Sequence, residues 1–277
     1  MRVVIFGATG YLGSQFMKMY PDSHAPSIDI GEKDHVVSAL EEFQPDIVIN
    51  AVGRTGRPNV DWCEDHKEET MWSNVAGPLI LLNECGKRGL YWVHMGSGCI
   101  YNGDNGGKGY NEEDEPNFMG SFYSKSKAWA DQMLKEFSEQ VLVLRLRMPF
   151  DGTGEERNLI TKIAHYDKVL DVQNSVTCIP EFLEATKKLI DKKKTGLYNV
   201  VNPGTISPFQ IMEMYKEIVD PSKEFAAITN DELLKIAKAP RSNCVLNTDK
   251  LKGEGIELRP VEEAVRSALE EIASNKG

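Results

Sequence analysis

Within its first thirteen residues the chain has used three glycines. Val3-Val4-Ile5-Phe6 runs directly into Gly7-Ala8-Thr9-Gly10-Tyr11-Leu12-Gly13, and a helix-like segment follows. A four-residue apolar run stopped by glycine predicts a short buried strand. Strand, G-x-x-G-x-x-G turn and helix in that order constrain the chain to an α/β architecture. The glycines let the backbone turn tightly and approach a diphosphate, which then rests on the helix N-terminus. Gly7, Thr9, Gly10, Tyr11, Leu12 and Gly13 are therefore candidate cofactor-binding residues.

The next stretch, Pro21 to Ile30, holds two prolines and several turn formers. It leaves room only for a short or degenerate second strand. Asp29, with Ile30 beside it, is the acidic residue available to an adenosine ribose. No arginine stands in the glycine loop, so the residues leave NADPH and NADH both open. Val36 to Phe43 has helical spacing, and Pro45 to Gly53 reads as a second buried strand ending in small residues. Asn50, Ala51 and Val52 at that end are candidates for cofactor contact. A polar and aromatic loop, Arg54 to Glu64, follows. Asn74 to Arg88 reads as a helix, although Pro78 fits only in a first turn or at a kink; Asn74 joins the cofactor candidates. Further strands are expected at Leu90–Met95 and Val141–Arg147, with His94 a packed core histidine. Alternating strands and helices predict a Rossmann-like, doubly wound parallel sheet over residues 1–150. Shorter elements over residues 151–277 predict a smaller substrate-binding lobe, with one strand and helix returning to the main sheet.

The strand-end loops of such a sheet share one edge, and there the chain carries Ser97 and the Tyr123-x-x-x-Lys127 pair. Residues i and i+4 of a helix share a face, so the Tyr123 phenol and Lys127 ammonium can converge. A nearby ammonium is expected to draw the phenol toward the working pH, with Ser97 donating to the same substrate oxygen. That set serves proton transfer at a carbonyl or alcohol oxygen while hydride moves at its carbon. A loop rich in glycine, asparagine and acid, Gly103 to Gly120, is expected to fold over a substrate. The formal charge of −10 and the lack of any long basic run argue against nucleic acid and anionic membranes as partners. No apolar run approaches the ~20 residues that span a bilayer. The opening residues are too short for a signal segment before the glycines begin. Cys63, Cys85, Cys99, Cys178 and Cys244 show no C-x-x-C spacing, which reads as reduced thiols in a cytoplasmic protein with no metal site.

Taken together these residues resemble the extended short-chain dehydrogenase/reductase superfamily. Longer strings resemble the nucleotide-rhamnose synthase/epimerase-reductase family: Gly53 to Glu64, Gly98-Cys99-Ile100, Pro116 to Lys125, Asn158 to Ile163, and Ala239-Pro240-Arg241-Ser242-Asn243. The resemblance implies a nicotinamide cofactor and two reactions on UDP-4-keto-6-deoxyglucose, inversion at C3 and C5 followed by reduction at C4. It assigns Cys99 and Lys162 to the epimerisation beside Ser97, Tyr123 and Lys127. Cys99 holds the position similar to the epimerising cysteine of GDP-fucose synthases. The resemblance implies substrate contacts at Arg57, Asn59, Asp61, Cys99, Asn117, Asn158, Asn174 and Arg241, the last as a diphosphate clamp. A homodimer is the family-level expectation. The chain departs from the plant pattern at Ala8, where plant sequences carry arginine, and at Ser97, where they carry threonine. Two other readings use the same residues: a dTDP-4-dehydrorhamnose reductase without epimerase activity, and a non-catalytic nucleotide-binding regulatory subunit.

Overall fold

The structure, a computed structural model, describes residues 1–276. In chain order the first half comprises β1 (Val3–Phe6), α1 (Tyr11–Met19), α2 (Lys33–Phe43), β2 (Ile47–Asn50), α3 (Trp62–Asp65), α4 (Lys67–Met71), a π-helical turn (Trp72–Ala76), α5 (Gly77–Arg88), β3 (Tyr91–Ser97), a 3-10 turn (Gly98–Ile100), α6 (Phe122–Lys135) and β4 (Val141–Leu146). The second half adds β5 (Pro149–Phe150), α7 (Leu159–Ala164), β6 (Lys168–Leu170), β7 (Thr177–Cys178), α8 (Ile179–Asp191), β8 (Gly196–Asn199), α9 (Pro208–Ile218), β9 (Ala226–Ile228), α10 (Asn230–Leu233), α11 (Asp249–Gly253) and α12 (Val261–Lys276).

Strands β1, β2, β3, β4 and β8 form one parallel sheet in that order. A parallel sheet is covered on both faces, which is why its strands read as nearly unbroken apolar runs. Val3, Ile5, Ile49 and Leu144 pack on one face against Phe16 of α1 and Phe182 and Leu189 of α8. Val4, Phe6, Val48 and Val143 pack on the other against Val36 and Leu40 of α2, Leu81 and Cys85 of α5, and Leu134 of α6. The result is the doubly wound α/β/α arrangement that the glycine turn and the strand spacing imply. The expected second strand shrinks to one residue: His24 bridges to Val4, donating its N–H to Val3 O at 2.8 Å and accepting from Ile5 N at 2.9 Å. Chain crossing from β1 to opposite sides thus opens a crevice above the ends of β1 and β2, beside Gly7.

Two local expectations are corrected. The helix placed from Asn74 runs on from α4 through the π-helical turn, and Pro78 follows directly after that irregular turn, which accommodates a residue with no N–H to donate. The Gly103–Gly120 loop does not hang free over the crevice. It is zipped to residues 243–247, with Gly103 N donating to Asn243 O, Tyr110 N to Val245 O, and Asn247 N to Tyr110 O. Tyr101 and Tyr110 stack beneath it with ring centroids 4.5 Å apart.

From the second half, β8 extends the main sheet beside β4 and α8 covers that sheet. Most of the remaining apolar residues gather in a separate core, where Phe150, Ile160, Val176, Ile211, Met212, Val265 and Leu269 meet. No helix among the described residues is long and apolar enough to cross a membrane.

Candidate active site

At the crevice the glycine turn is forced by close packing. Gly7 has φ +81°, and a Cβ there would lie 2.8 Å from Val52 N. A Cβ on Gly13 would lie 2.0 Å from Gly7 O, so α1 can approach β1 only with glycine at that position. Gly10 caps α1 and has no side chain to satisfy the first-turn N–H groups, and no acid stands in that turn. Unpartnered N–H groups at the positive end of a helix suit a diphosphate, so the residues present fit a dinucleotide. Leu12 packs on the core beneath. Asp29 is exposed, and its Oδ1 accepts from Gly31 N at 2.8 Å.

Several cofactor candidates turn their side chains away from the crevice. Ile30 is buried in the core, packed where Gly77 leaves room for it. Asn50 is fully buried, holding Val52 N on its Oδ1 at 3.0 Å and His94 Nδ1 with its Nδ2 at 3.0 Å. Asn74 is buried too. Its Oδ1 accepts from Arg54 N at 2.7 Å, and its Nδ2 donates to Arg54 O and Ser126 Oγ. Both asparagines therefore shape the loops behind the crevice wall. His94 is the packed core histidine expected, kept neutral by burial and then by the Lys127 charge.

Helix α6 is set against the sheet by two buried cations. Arg145 of β4 makes a bidentate pair with Asp131, at 2.8 and 2.6 Å, with both side chains out of solvent. Lys127, one turn earlier, donates to Met95 O at 2.8 Å. This docking brings Tyr123 Oη within 3.5 Å of Ser97 Oγ, so the three expected residues meet. Their electrostatics differ from the expectation. Burial, then the nearby Cys99 sulfur, pushes the Tyr123 phenol well above its ordinary range, outweighing the Ser97 hydrogen bond. The Lys127 ammonium, which donates to the Met95 carbonyl, does not offset that burial. Burial instead lowers Lys127 to about 8, against the opposing pull of Asp131 and Cys99. A neutral phenol beside a dischargeable ammonium is equipped to give a proton.

Cys99 lies in the 3-10 turn after β3, its N–H donating to Ser97 Oγ at 3.1 Å. Cys63, Cys85, Cys178 and Cys244 are buried, whereas Cys99 is partly open. Its sulfur accepts from Arg147 Nη1 at 3.3 Å. Arg147 escaped the sequence reading as a site residue. The signal was present: an arginine inside Val141-Leu142-Val143-Leu144-Arg145-Leu146-Arg147 is a charge on a buried strand and needs a reason. Asn174 is fully buried and serves that guanidinium, its Oδ1 accepting from Arg147 Nε and Nη2 and from Cys244 N. It thus acts one layer behind the surface on which a substrate contact was expected.

Asn158 is likewise fully buried. Its Oδ1 caps α7 by accepting from Ile160 N, while its Nδ2 donates to Asp151 O and Oδ1. Asp151 Oδ2 accepts from Tyr11 Oη at 2.6 Å, which joins the glycine turn to the helix that carries Lys162. Lys162 is half-buried, and burial together with the positive Arg157 and Arg241 lowers its ammonium below the ordinary lysine range. Arg241, Asp61 and Asn59 come together as a group: Arg241 Nη1 donates to Asp61 Oδ1 at 2.7 Å and Nη2 to Asn59 Oδ1 at 3.3 Å. The guanidinium holds Asp61 well below the usual carboxylate range. Arg241 is thus engaged by Asp61 and is not a free clamp. Arg57 is exposed on the same loop, and Arg157, also missed, reaches Thr55 Oγ1 at 2.6 Å. Asn117 is exposed, but its amide is tied to the Asn102 backbone and to Tyr110 Oη.

Known proteins resemble this chain over nearly its whole length. The model of the RmlD substrate binding domain matches residues 1–274. A bifunctional dTDP-4-dehydrorhamnose 3,5-epimerase/dTDP-4-dehydrorhamnose reductase from Arabidopsis thaliana is 42% identical over 95% of this chain and 90% of its own length. The crystal structure of the L780 UDP-rhamnose synthase from Acanthamoeba polyphaga mimivirus superposes with a TM-score of 0.94 at 31% identity, covering 98% of this chain and 99% of that one. A dTDP-4-dehydrorhamnose reductase from Bacillus anthracis, solved in complex with NADP, shares the fold at a TM-score of 0.82 and 21% identity, with 96% of each chain covered.

Proposed function

This chain belongs to the RmlD substrate binding domain family, and from that premise we propose that it converts UDP-4-keto-6-deoxyglucose to UDP-L-rhamnose, epimerising C3 and C5 and reducing C4 in one crevice. It is an NAD(P)-dependent reductase of nucleotide-rhamnose formation. The bifunctional reading rests on Cys99, a part-open thiol two residues past Ser97 and within electrostatic reach of Tyr123 and Lys127.

A ketone at C4 acidifies the protons on C3 and C5. Cys99 and Lys162 are the acid/base pair that removes each proton and returns one to the opposite face. A thiol and a lysine with a lowered pKa are both suited to that work. Ser97 and Tyr123 hold the C4 oxygen while its charge develops. The hydride for C4 would come from bound NADPH, with NADH a minor substitute. Tyr123, kept neutral by burial, gives its proton to the C4 oxygen, and the Lys127 ammonium stabilises the phenolate left behind. Gly7 to Gly13 would hold the cofactor diphosphate, and Asp29 would hold its adenosine ribose. We assign residues 1–150 to the dinucleotide and 151–277 to the sugar nucleotide. Arg57 and Arg157 offer positive charge suited to the substrate diphosphate, while Arg241 is paired with Asp61.

The pH dependence follows from Lys127. Its charged form is present below about 8 and lost above it. Reduction of an already epimerised ketone is therefore expected to hold steady toward lower pH and to fall as pH rises through about 8. Stopped-flow loss of nicotinamide absorbance, measured with saturating substrate, checks this. A rate that climbs through that range would reject the role given to Lys127.

The whole reading is tested by sugar proton NMR in deuterated water. Purified protein and UDP-4-keto-6-deoxyglucose should incorporate deuterium at C3 and C5, then yield UDP-rhamnose once reduced cofactor is present. Reduction of a pre-epimerised ketone without any exchange would leave a plain 4-reductase.

A further inference from the structure

We propose that Arg147 is a positioning residue for epimerisation: its sealed guanidinium holds the Cys99 sulfur and sets a positive charge against it for the proton transfers. Arg145, two residues earlier and within β4, is matched by Asp131. Arg147 is only 2% exposed and has no carboxylate partner among the described residues. Its guanidinium makes five hydrogen bonds, none to a carboxylate: two to Asn174 Oδ1, one each to Ser242 Oγ and Ser242 O, and one to Cys99 Sγ. Burying a guanidinium without a counter-ion is costly, so its persistence calls for a compensating negative charge. Of the groups it touches, only the Cys99 thiol can supply one.

The surroundings leave that role to Arg147. The titratable groups facing Cys99 are Arg147, Tyr123, Lys127 and the buried Cys244. Tyr123 stays neutral and Lys127 gives its hydrogen bond to Met95 O, so Arg147 is the cation that donates directly to the sulfur. Asn174 and Ser242 fix the guanidinium plane so that Nη1 faces the sulfur. In the step itself a proton passes from the sugar carbon to sulfur, and the C–H electron pair becomes the enolate on the C4 oxygen. The negative charge that Arg147 matched on sulfur thereby moves toward Ser97 and Tyr123.

This inference rests on the epimerising role given to Cys99, and the test separates the two. Arg147→Gln removes the charge, and Arg147→Lys keeps it. Three readouts are taken: deuterium exchange at C3 and C5, reduction of a pre-epimerised ketone, and iodoacetamide labelling of Cys99 followed by peptide mass. Charge-assisted hydrogen bonds of this kind correspond to about tenfold to a hundredfold in rate. The glutamine variant should lose exchange by about that factor while reduction falls far less. Its labelling should slow about tenfold at pH 7 and recover at pH 10, where thiols ionise unaided. The lysine variant should label within about threefold of the parent. Parental exchange and labelling in the glutamine variant would overturn the proposal. If that variant does not fold, the lysine variant decides, and labelling more than tenfold slow at pH 7 would overturn it. Full exchange in Cys99→Ala would instead end the epimerising role of Cys99 itself.

Discussion

Replacing Tyr123 with phenylalanine is expected to cut reduction of the C4 ketone by roughly 10³-fold while leaving measurable deuterium exchange at C3 and C5. The substitution deletes one oxygen and keeps the ring, so helix α6 stays docked through Asp131–Arg145 and Lys127–Met95. Only the proton donor 3.5 Å from Ser97 Oγ is lost. Exchange slows because the enolate oxygen has one donor fewer, but Ser97 remains. Single-turnover reduction of a pre-epimerised ketone and proton NMR of the unreduced substrate measure the two effects separately. Unchanged reduction would remove Tyr123 from the mechanism.

Cys99→Ala has the complementary outcome: exchange at C3 and C5 should fall by about 10²-fold, with reduction of a pre-epimerised ketone close to the parent rate. The thiol is partly open and makes one side-chain hydrogen bond, so its removal leaves no large cavity. Arg147 keeps Asn174 and Ser242 as partners. Monitoring C3 and C5 individually adds detail, since a loss confined to one centre assigns Lys162 to the other. An equal loss of exchange and reduction would make Cys99 a structural residue.

Short-range patterns carried the parts of the molecule that were legible in the amino-acid sequence. The glycine turn, the buried strands and the i, i+4 pair on α6 depend on neighbours within a few residues, and each has a distinctive spacing. Even the degenerate second strand was foreshadowed by Pro21 and Pro26. What escaped depends on partners far apart. Arg147 meets Ser242, 95 residues away, and Tyr11 meets Asp151, 140 residues away. The family resemblance also implied substrate contacts at two asparagines that the structure buries. Asn158 and Asn174 look like ligand contacts in the chain, but buried asparagines must satisfy their amides, and here they do so on a helix cap and on a guanidinium. The sign of the Tyr123 shift was missed for a related reason. Convergence of Lys127 on the same helix face said nothing of how deeply the fold buries the phenol, or of the Cys99 sulfur beside it.

The one-residue outer strand at His24 has a consequence for solubility. A parallel sheet that ended on a full strand would offer a ladder of free N–H and C=O groups to any passing extended chain. Here the outermost backbone is a single bridging residue between Pro21 and Pro26, and its own N–H and C=O both face inward to β1. Proline contributes no donor to a ladder. The edge beside the glycine turn is therefore too short to template strand addition, and the crevice opens next to a boundary that resists aggregation without any covering helix.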